Sequence, residues 1–307
     1  MIGSQPYGIF ITDNHHIYVA DHIKNRILVW QEGEANLLRT LEIRLYTQTT
    51  LFVTSNGDVY FENGNHSGQI DKWPQYSNYS VFVTKFSGHC LGLFIDMNND
   101  LYCSIHGEHR VVKSSLENKD SAKITVAGRG CPGSAQHELF APWGIFVDKQ
   151  LNLYVADAEN HRIQLFRSGQ LNGTTVVGQQ SQNDVNLRLP TDVVVDGNGY
   201  LYIADNQHNR VLRVRDGVYQ CIAGCTGKEG SAANQLKRAY SIRLNGCGHL
   251  YVVDEFNHRI QKFLLINDGC GKLHRELYSN AKRKNMSPLH REQHSNKQHR
   301  RVRDSSE

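Results

Sequence analysis

Trp143-Gly-Ile-Phe-Val-Asp148, Leu153-Tyr-Val-Ala-Asp157, Arg162-Ile-Gln-Leu-Phe166 and Gly173-Thr-Thr-Val-Val-Gly178 are four short β-rich runs separated by turn-forming residues. Runs of this length between Asn, Asp and Gly clusters read as an antiparallel meander with strands a, b, c and d. Alternation within Arg162–Phe166 is only partial, as expected of a sheet whose two faces both pack on neighbours.

The unit recurs along the chain. Its copies are Tyr18-Val-Ala-Asp21 with Asn25-Arg26, Tyr60-Phe-Glu-Asn63, Tyr102-Cys-Ser-Ile105 with His109-Arg110, Tyr154-Val-Ala-Asp157 with Asn160-His161-Arg162, Tyr202-Ile-Ala-Asp205 with Asn209-Arg210, and Tyr251-Val-Val-Asp254 with Asn257-His258-Arg259. Successive tyrosines lie 42, 42, 52, 48 and 49 residues apart. That period holds four strands and their turns, whereas a helical repeat needs apolar stripes of period 3.6 that are absent. Six such sheets arranged radially cover one another and leave only short outer edges. The sequence therefore predicts an all-β, six-bladed β-propeller of four-stranded antiparallel blades over residues 1–270, followed by a basic, disordered tail over 271–307. Because a meander reverses at every turn, the b-to-c loops and the d-to-a connections fall on one rim.

The Tyr…Asp…Asn-His-Arg runs resemble the NHL-repeat family, whose members form six-bladed β-propellers. The resemblance extends from Tyr7 to about Ile266, with Gly68 standing where the second copy should carry Arg and Ile105 where the third should carry Asp. It implies a platform that recruits protein or RNA. In many NHL proteins the propeller follows zinc-binding ligase modules, but no RING or B-box pattern of Cys and His is present here.

The ends of the ring read differently from its middle. Residues 1–5 are too short for a good strand, so the last blade's strand d has to come from residues 267–277, whose strand pattern is poor, or be missing. A weak seam between the sixth and first blades, or a truncated propeller, follows. The central residue of strand a reads Phe10, Phe52, Phe94, Phe146, Val194 and then Arg243. A charge in that row has to be paired or solvated. With a loosened seam, Arg243→Phe is expected to raise thermal stability.

Charge is unevenly spread. Residues 281–303 hold eight Lys or Arg and one Glu, so +7 of the formal +4 sits there and the remainder is near −3. The folded body is thus no polycation, and the tail is a solvated extension or a binder of RNA, acidic membrane or an import receptor. Seven cysteines at 90, 103, 131, 221, 225, 247 and 270 lack paired C-x-x-C spacing, which speaks against structural zinc. Cys221 and Cys225 are placed to form a small disulfide, and the odd total leaves one thiol unpaired in a monomer. Sequons at Asn65, Asn78, Asn172 and Asn285 are near the chance level for this composition. No apolar run of about 20 residues exists to span a bilayer. With five residues before the first strand motif, no signal peptide is read either, which predicts a cytoplasmic chain unless it belongs to a longer secreted or membrane protein.

The recurring pairs Asp21/Arg26, Asp157/Arg162, Asp205/Arg210 and Asp254/Arg259 read as structure, because a reaction centre needs one asymmetric constellation and these repeat around the ring. Arg110, lacking an Asp in its own copy, is the motif arginine expected to face a partner. Departures from the repeat are the better place for function. The longest d-to-a loops, 128–142, 178–190 and 224–240, carry Arg129, His137, Arg188, Lys228, Lys237 and Arg238, flanked by Trp143 and Tyr240. They form either ordinary solvated loops or a one-sided basic and aromatic surface suited to acidic peptide segments or single-stranded nucleic acid. The expected function is a non-catalytic protein-interaction scaffold, with RNA as a second class of ligand. The alternative is a metal-dependent propeller enzyme of the amidating-lyase or lactonase kind. Amidating lyases of related fold use a central zinc held by histidines; no corresponding triad is identifiable among the sixteen histidines, so no catalytic residue, metal ligand or cofactor is assigned.

Overall fold

The structure, a computed structural model, describes residues 5–43, 50–63, 68–118, 121–179, 181 and 185–264. The predicted tail, the boundary at 270, Cys270 and the sequons at Asn65 and Asn285 lie outside the described residues.

Strong turn residues break the chain into short strands at the expected period. Blade 1 comprises β1 (Pro6–Ile11), β2 (His16–Asp21), β3 (Arg26–Gln31) and β4 (Leu37–Glu42). Blade 2 holds β5 (Leu51–Val53), β6 (Val59–Glu62), β7 (Gln69–Trp73) and β8 (Val81–Lys85), and blade 3 holds β9 (Cys90–Ile95), β10 (Asp100–Ile105), β11 (Arg110–Ser115) and β12 (Ile124–Ala127). Blade 4 is β13 (Pro142–Val147), β14 (Leu153–Asp157), β15 (Arg162–Phe166) and β16 (Thr174–Gly178); blade 5 is β17 (Pro190–Val195), β18 (Leu201–Asp205), β19 (Arg210–Arg215) and β20 (Val218–Ala223). Blade 6 has three described strands, β21 (Ala239–Leu244), β22 (Leu250–Asp254) and β23 (Arg259–Phe263). Each sheet is an antiparallel meander in chain order. The inner strands β1, β5, β9, β13, β17 and β21 touch in turn, and β21 touches β1, so the sheets close into a six-bladed ring.

The core lies between blades. At the first joint, Tyr18, Val29 and Leu41 of blade 1 meet Leu51, Phe61 and Trp73 of blade 2. Full burial of side chains such as Phe61 contributes roughly 2–3 kcal/mol each. Along the inner strands Phe10, Phe52, Phe94 and Phe146 pack edge to face at centroid distances of 4.9, 5.2 and 5.3 Å, binding four blades in series.

The repeated tyrosine anchors strand b to the a-to-b turn. In blade 3 the Asp96 carboxylate accepts the Asn98 and Asp100 amides at 2.9 Å, which shapes the turn, and also the Tyr102 hydroxyl at 3.0 Å. Asp196 and Tyr202 repeat this in blade 5. A strand-c cation covers the ring: Lys72 on Tyr60, Lys113 on Tyr102, Arg213 on Tyr202 and Lys262 on Tyr251.

Blade 6 carries Asn245 at the turn position, and its tyrosine reaches across the seam instead. Tyr251 donates to Glu32 of blade 1 at 2.5 Å; Lys262 and Asn245 donate to the same carboxylate, and His15 lies 2.9 Å from it. Above this polar joint Tyr7, Ile9 and Ile11 pack on Tyr240, Tyr251 and Val253. Among the described residues the seam has no outer strand, and residues 267–277, from which one was expected, lie outside them; within, the seam is stapled.

Disulfides join Cys221 to Cys225 and, unforeseen in the sequence, Cys90 to Cys103 across β9 and β10. Cys247 is also disulfide-bonded, and among the described residues Cys131 is a free, exposed thiol.

Burial pushes the Glu32 carboxyl up, but its hydrogen bonds from Lys262, Tyr251 and His15 outweigh this and hold it at about 2. A carboxylate depressed in the folded state stabilises above its unfolded value, near 4.3, and that stability is lost as pH falls toward the folded value. Glu32→Gln should lower stability at neutral pH by roughly 2 kcal/mol and flatten the acid limb between about pH 5 and 2. Urea unfolding across that range measures both; an unchanged acid slope would remove Glu32 from this role.

Candidate functional site

In blades 3 to 6 the b-to-c connection is one 3₁₀ turn, closed by His109, His161, Asn209 and His258 in the left-handed conformation at φ 51–54°. His and Asn tolerate that region better than most residues. The same side chains hold the following blade. His109 Nδ1 accepts the Ala141 amide at 3.1 Å, His161 Nδ1 the Leu189 amide at 3.2 Å and Asn209 Oδ1 the Arg238 amide at 2.8 Å.

The Asp and Arg of the motif clamp the loop that enters their own blade. Asp157 accepts the Phe140 amide at 2.7 Å, Asn160 Nδ2 at 2.9 Å and Arg162 Nε at 2.7 Å. Arg162, 1 % exposed, also donates to the carbonyls of Ser134, Ala135 and Glu138. Blade 6 repeats the arrangement: Asp254 takes the Lys237 amide and Arg259, and Arg259 binds the carbonyls of Ser231, Ala232 and Gln235. In blade 5 Asp205 takes the Arg188 amide and Arg210, and in blade 1 Asp21 takes Arg26 at 3.0 Å. Burial pushes the Asp157 carboxyl up, opposed by the Phe140 amide, Asn160 and Arg162.

The irregular copies have local substitutes. Arg110 pairs with Glu108 through Nη2 at 2.5 Å and Nε at 2.8 Å, so the arginine expected to face a partner is held within its own blade. In blade 2 the buried Glu62 accepts the Gly68 and Cys90 amides and pairs with His89. Gly68 has φ 65°, and a Cβ there would lie 2.3 Å from the Gly88 carbonyl oxygen, which excludes the arginine of the other copies.

These clamps frame the mouth of the central channel. Tyr7 packs on Tyr240 at 5.0 Å, Tyr240 on Trp143 at 5.3 Å, Trp143 on His106 at 6.0 Å and Tyr7 on His22 at 5.6 Å. Below them about 20 Å³ is open to water, room for a solvent molecule or two. Aromatic rings dominate the mouth, and the Asp192–Arg243 pair lines the same cavity. Burial, with the His109 and His89 charges, holds the His106 imidazole below its ordinary range. Burial raises the Tyr240 hydroxyl well above its own and raises the Glu255 carboxyl, against the Tyr7 hydroxyl and Arg238.

The rim residues expected from the sequence separate into two groups. Arg129, Arg188 and Lys228 are exposed, and no side-chain partner of theirs exists among the described residues. Lys237 lies 3.6 Å from Glu229, Arg238 donates to Asn206 at 3.1 Å, and His137 lies 3.7 Å from Glu138. Trp143 is half-buried and Tyr240 is buried in the mouth. Sequence reasoning missed Tyr7, His22, His106 and Glu255. Each occupies strand a next to its start or the first residue of a b-to-c turn, and the variation among blades at those positions was the available signal. Among the described residues, no three of His, Cys, Asp and Glu converge as metal ligands, and no helix is long and apolar enough to cross a membrane.

Residues 141–166, which span the Trp143 edge of this mouth and the Asp157/Arg162 clamp, match the model of the NHL repeat. The chain is a six-bladed β-propeller that carries an NHL repeat at residues 141–166. A structural genomics protein of unknown function from Bacteroides thetaiotaomicron VPI-5482 superposes on it with a TM-score of 0.68 at 16% identity, covering 85% of this chain and 69% of that one. Virginiamycin B lyase from Staphylococcus aureus gives 0.57 at 16% identity over 86% of each chain. A chain of a nidogen/laminin complex gives 0.58 at 15% identity, over 77% of this chain and 83% of its own length. At such identities the likeness establishes the fold alone.

Arg243 lines the channel and is paired, one of the two states expected of a charge in that row. Its Nη1 lies 2.8 Å from Asp192 Oδ2 of blade 5, which also accepts the Ser241 hydroxyl at 2.8 Å and the Ile242 amide at 3.0 Å. The charge is paired at the fifth joint, not solvated at the sixth. Arg243→Phe would leave Asp192 buried without its cation and should cost about 3 kcal/mol, read as a fall in midpoint on thermal and urea unfolding; a gain in stability would show the pair to be dispensable.

Proposed function

We propose that this propeller is a non-catalytic interaction module that binds an acidic, extended segment of another protein across the motif rim. The observation that carries the reading is the construction of the rim itself: a channel mouth filled by Tyr7, Trp143 and Tyr240, surrounded by clamped loops that present Arg129, Arg188 and Lys228 to solvent. An aromatic centre takes an apolar anchor side chain, and the peripheral cations take carboxylates and speed encounter. Fixed loops reduce the ordering cost that binding otherwise carries. The nidogen/laminin neighbour gives a precedent for this fold within a protein complex, and the lyase neighbour a precedent for chemistry on it. A channel with room for a solvent molecule or two favours the first.

Panning a random peptide display library on the full chain, with counter-selection on the Arg129→Glu/Arg188→Glu/Lys228→Glu variant, tests this directly. Peptides rich in Asp and Glu around an aromatic residue should emerge, and Trp143→Ala should weaken them at least tenfold. Retrieved peptides that bind the charge-reversed variant equally well would sink the rim as the binding surface. A single-stranded RNA probe run alongside would instead show a steep salt dependence if phosphates are the natural anions.

A further inference from the structure

Three exposed aromatic side chains lie within seven residues at the c-to-d turn of blade 2: Tyr76 at 91 %, Tyr79 at 69 % and Phe82 at 59 % of full exposure. The turn beneath them is fixed. Asp58 accepts the Gln75 amide at 3.0 Å, Trp73 Nε1 donates to the Ser77 carbonyl at 2.8 Å, and Arg39 of blade 1 donates to the carbonyls of Gln75 and Ser77. Tyr76 and Tyr79 thus stand out from a held backbone, and a cluster of exposed rings on such a backbone calls for something to cover it. Between them Asn78 is exposed, and its side-chain amide has no hydrogen-bond partner among the described residues. With Tyr79 and Ser80 it forms the acceptor sequence for an Asn-linked sugar. A second observation concerns the thiols. Five of the six described cysteines are disulfide-bonded, a state that forms and persists in oxidising compartments and is rare in the cytosol. Such bridges suit a chain that belongs to a secreted or membrane protein, and the lumen that oxidises thiols is where Asn-linked sugars are added.

We propose that Asn78 is an N-glycosylation site and that the first N-acetylglucosamine of its glycan lies on the Tyr76 ring. The donor is an oligosaccharide carried on a lipid diphosphate. The Asn78 amide nitrogen forms a bond to the anomeric carbon of the sugar, the bond from that carbon to the diphosphate oxygen breaks, and the amide gives up one proton as the lipid diphosphate leaves. Exposure of Asn78 leaves room for a bulky branched product on the folded chain. One face of the sugar ring is a patch of C–H groups, and the electron-rich face of an aromatic ring two residues before the acceptor is its complement. Contact between them removes apolar area of both from water. Asn172-Gly-Thr174 is exposed as well, but Gln170 stands where Tyr76 does, so a sugar there has no such ring to lie on. In a meander the c-to-d turns fall on the rim opposite the b-to-c loops, so a glycan on Asn78 leaves the mouth around Tyr7, Trp143 and Tyr240 open. The site is independent of the acidic-segment reading of that mouth.

The full chain isolated from its natural source is treated, in heavy-oxygen water, with the amidase that removes Asn-linked glycans, and its peptides are weighed. Conversion of Asn78 to labelled aspartate is expected; recovery of Asn78 unmodified would overturn the site. The ring contact is read on the full chain secreted from eukaryotic cells, by thermal unfolding of four proteins: the parent, Asn78→Gln, Tyr76→Ala and the double variant. Asn78→Gln removes the glycan and should lower the melting temperature when Tyr76 is present, and by less than half as much in the Tyr76→Ala background. Equal losses in the two backgrounds, or no loss in either, would remove the sugar from the Tyr76 ring.

Discussion

A carboxylate buried at the end of the second strand in blades 1, 2, 4, 5 and 6 carries the motif rim. Asp157, Asp205 and Asp254 are inaccessible to solvent, and an isolated charge in such a place would cost several kcal/mol. Here each is met by the guanidinium five residues on and by a backbone amide 17 residues earlier in the loop entering the same blade. The loop cannot leave without stripping the carboxylate of a donor and the arginine of its carbonyls. One interaction thus shapes a tight turn and orders the long connections at 128–142 and 224–240, and the left-handed His or Asn beside it ties blades 3, 4 and 5 to the blade that follows.

Closure of the ring imposes a second constraint. Sheets that cover each other on both faces need six equivalent joints, and five of the blades supply four strands to make them. At the last joint the inner strands still pack, and among the described residues Glu32 gathers Asn245, Tyr251, Lys262 and His15. A polar hub is directional where an apolar face is not. It fixes the angle between blades 6 and 1.

Features that repeat at fixed offsets could be read from the sequence, and features that join different blades could not. The Tyr, Asp and Arg of blade 4 stand at constant spacing, so its strands at 153–157 and 162–166 were located to the residue. The Asp192–Arg243 pair joins residues 51 apart, the Cys90–Cys103 bridge depends on the pairing of two strands, and the mouth brings together residues 7, 22, 106, 143 and 240. Their proximity follows from radial arrangement, which no local spacing encodes. Arg110 shows the same limit: a search for aspartate at the motif position passes over Glu108, its partner two residues away on the 3₁₀ turn.

Because the repeated groups satisfy one another, recognition has to reside where the repetition stops. The channel mouth is such a place among the described residues. The mouth departs from the repeat in side chains, with aromatic, imidazole and carboxyl groups where other blades carry Ala158 or Asn206, on a backbone held rigid by the clamps. A rigid side-chain surface selects by shape and charge, and the clamps preserve that shape because no loop can rearrange without stripping a buried carboxylate of its donors.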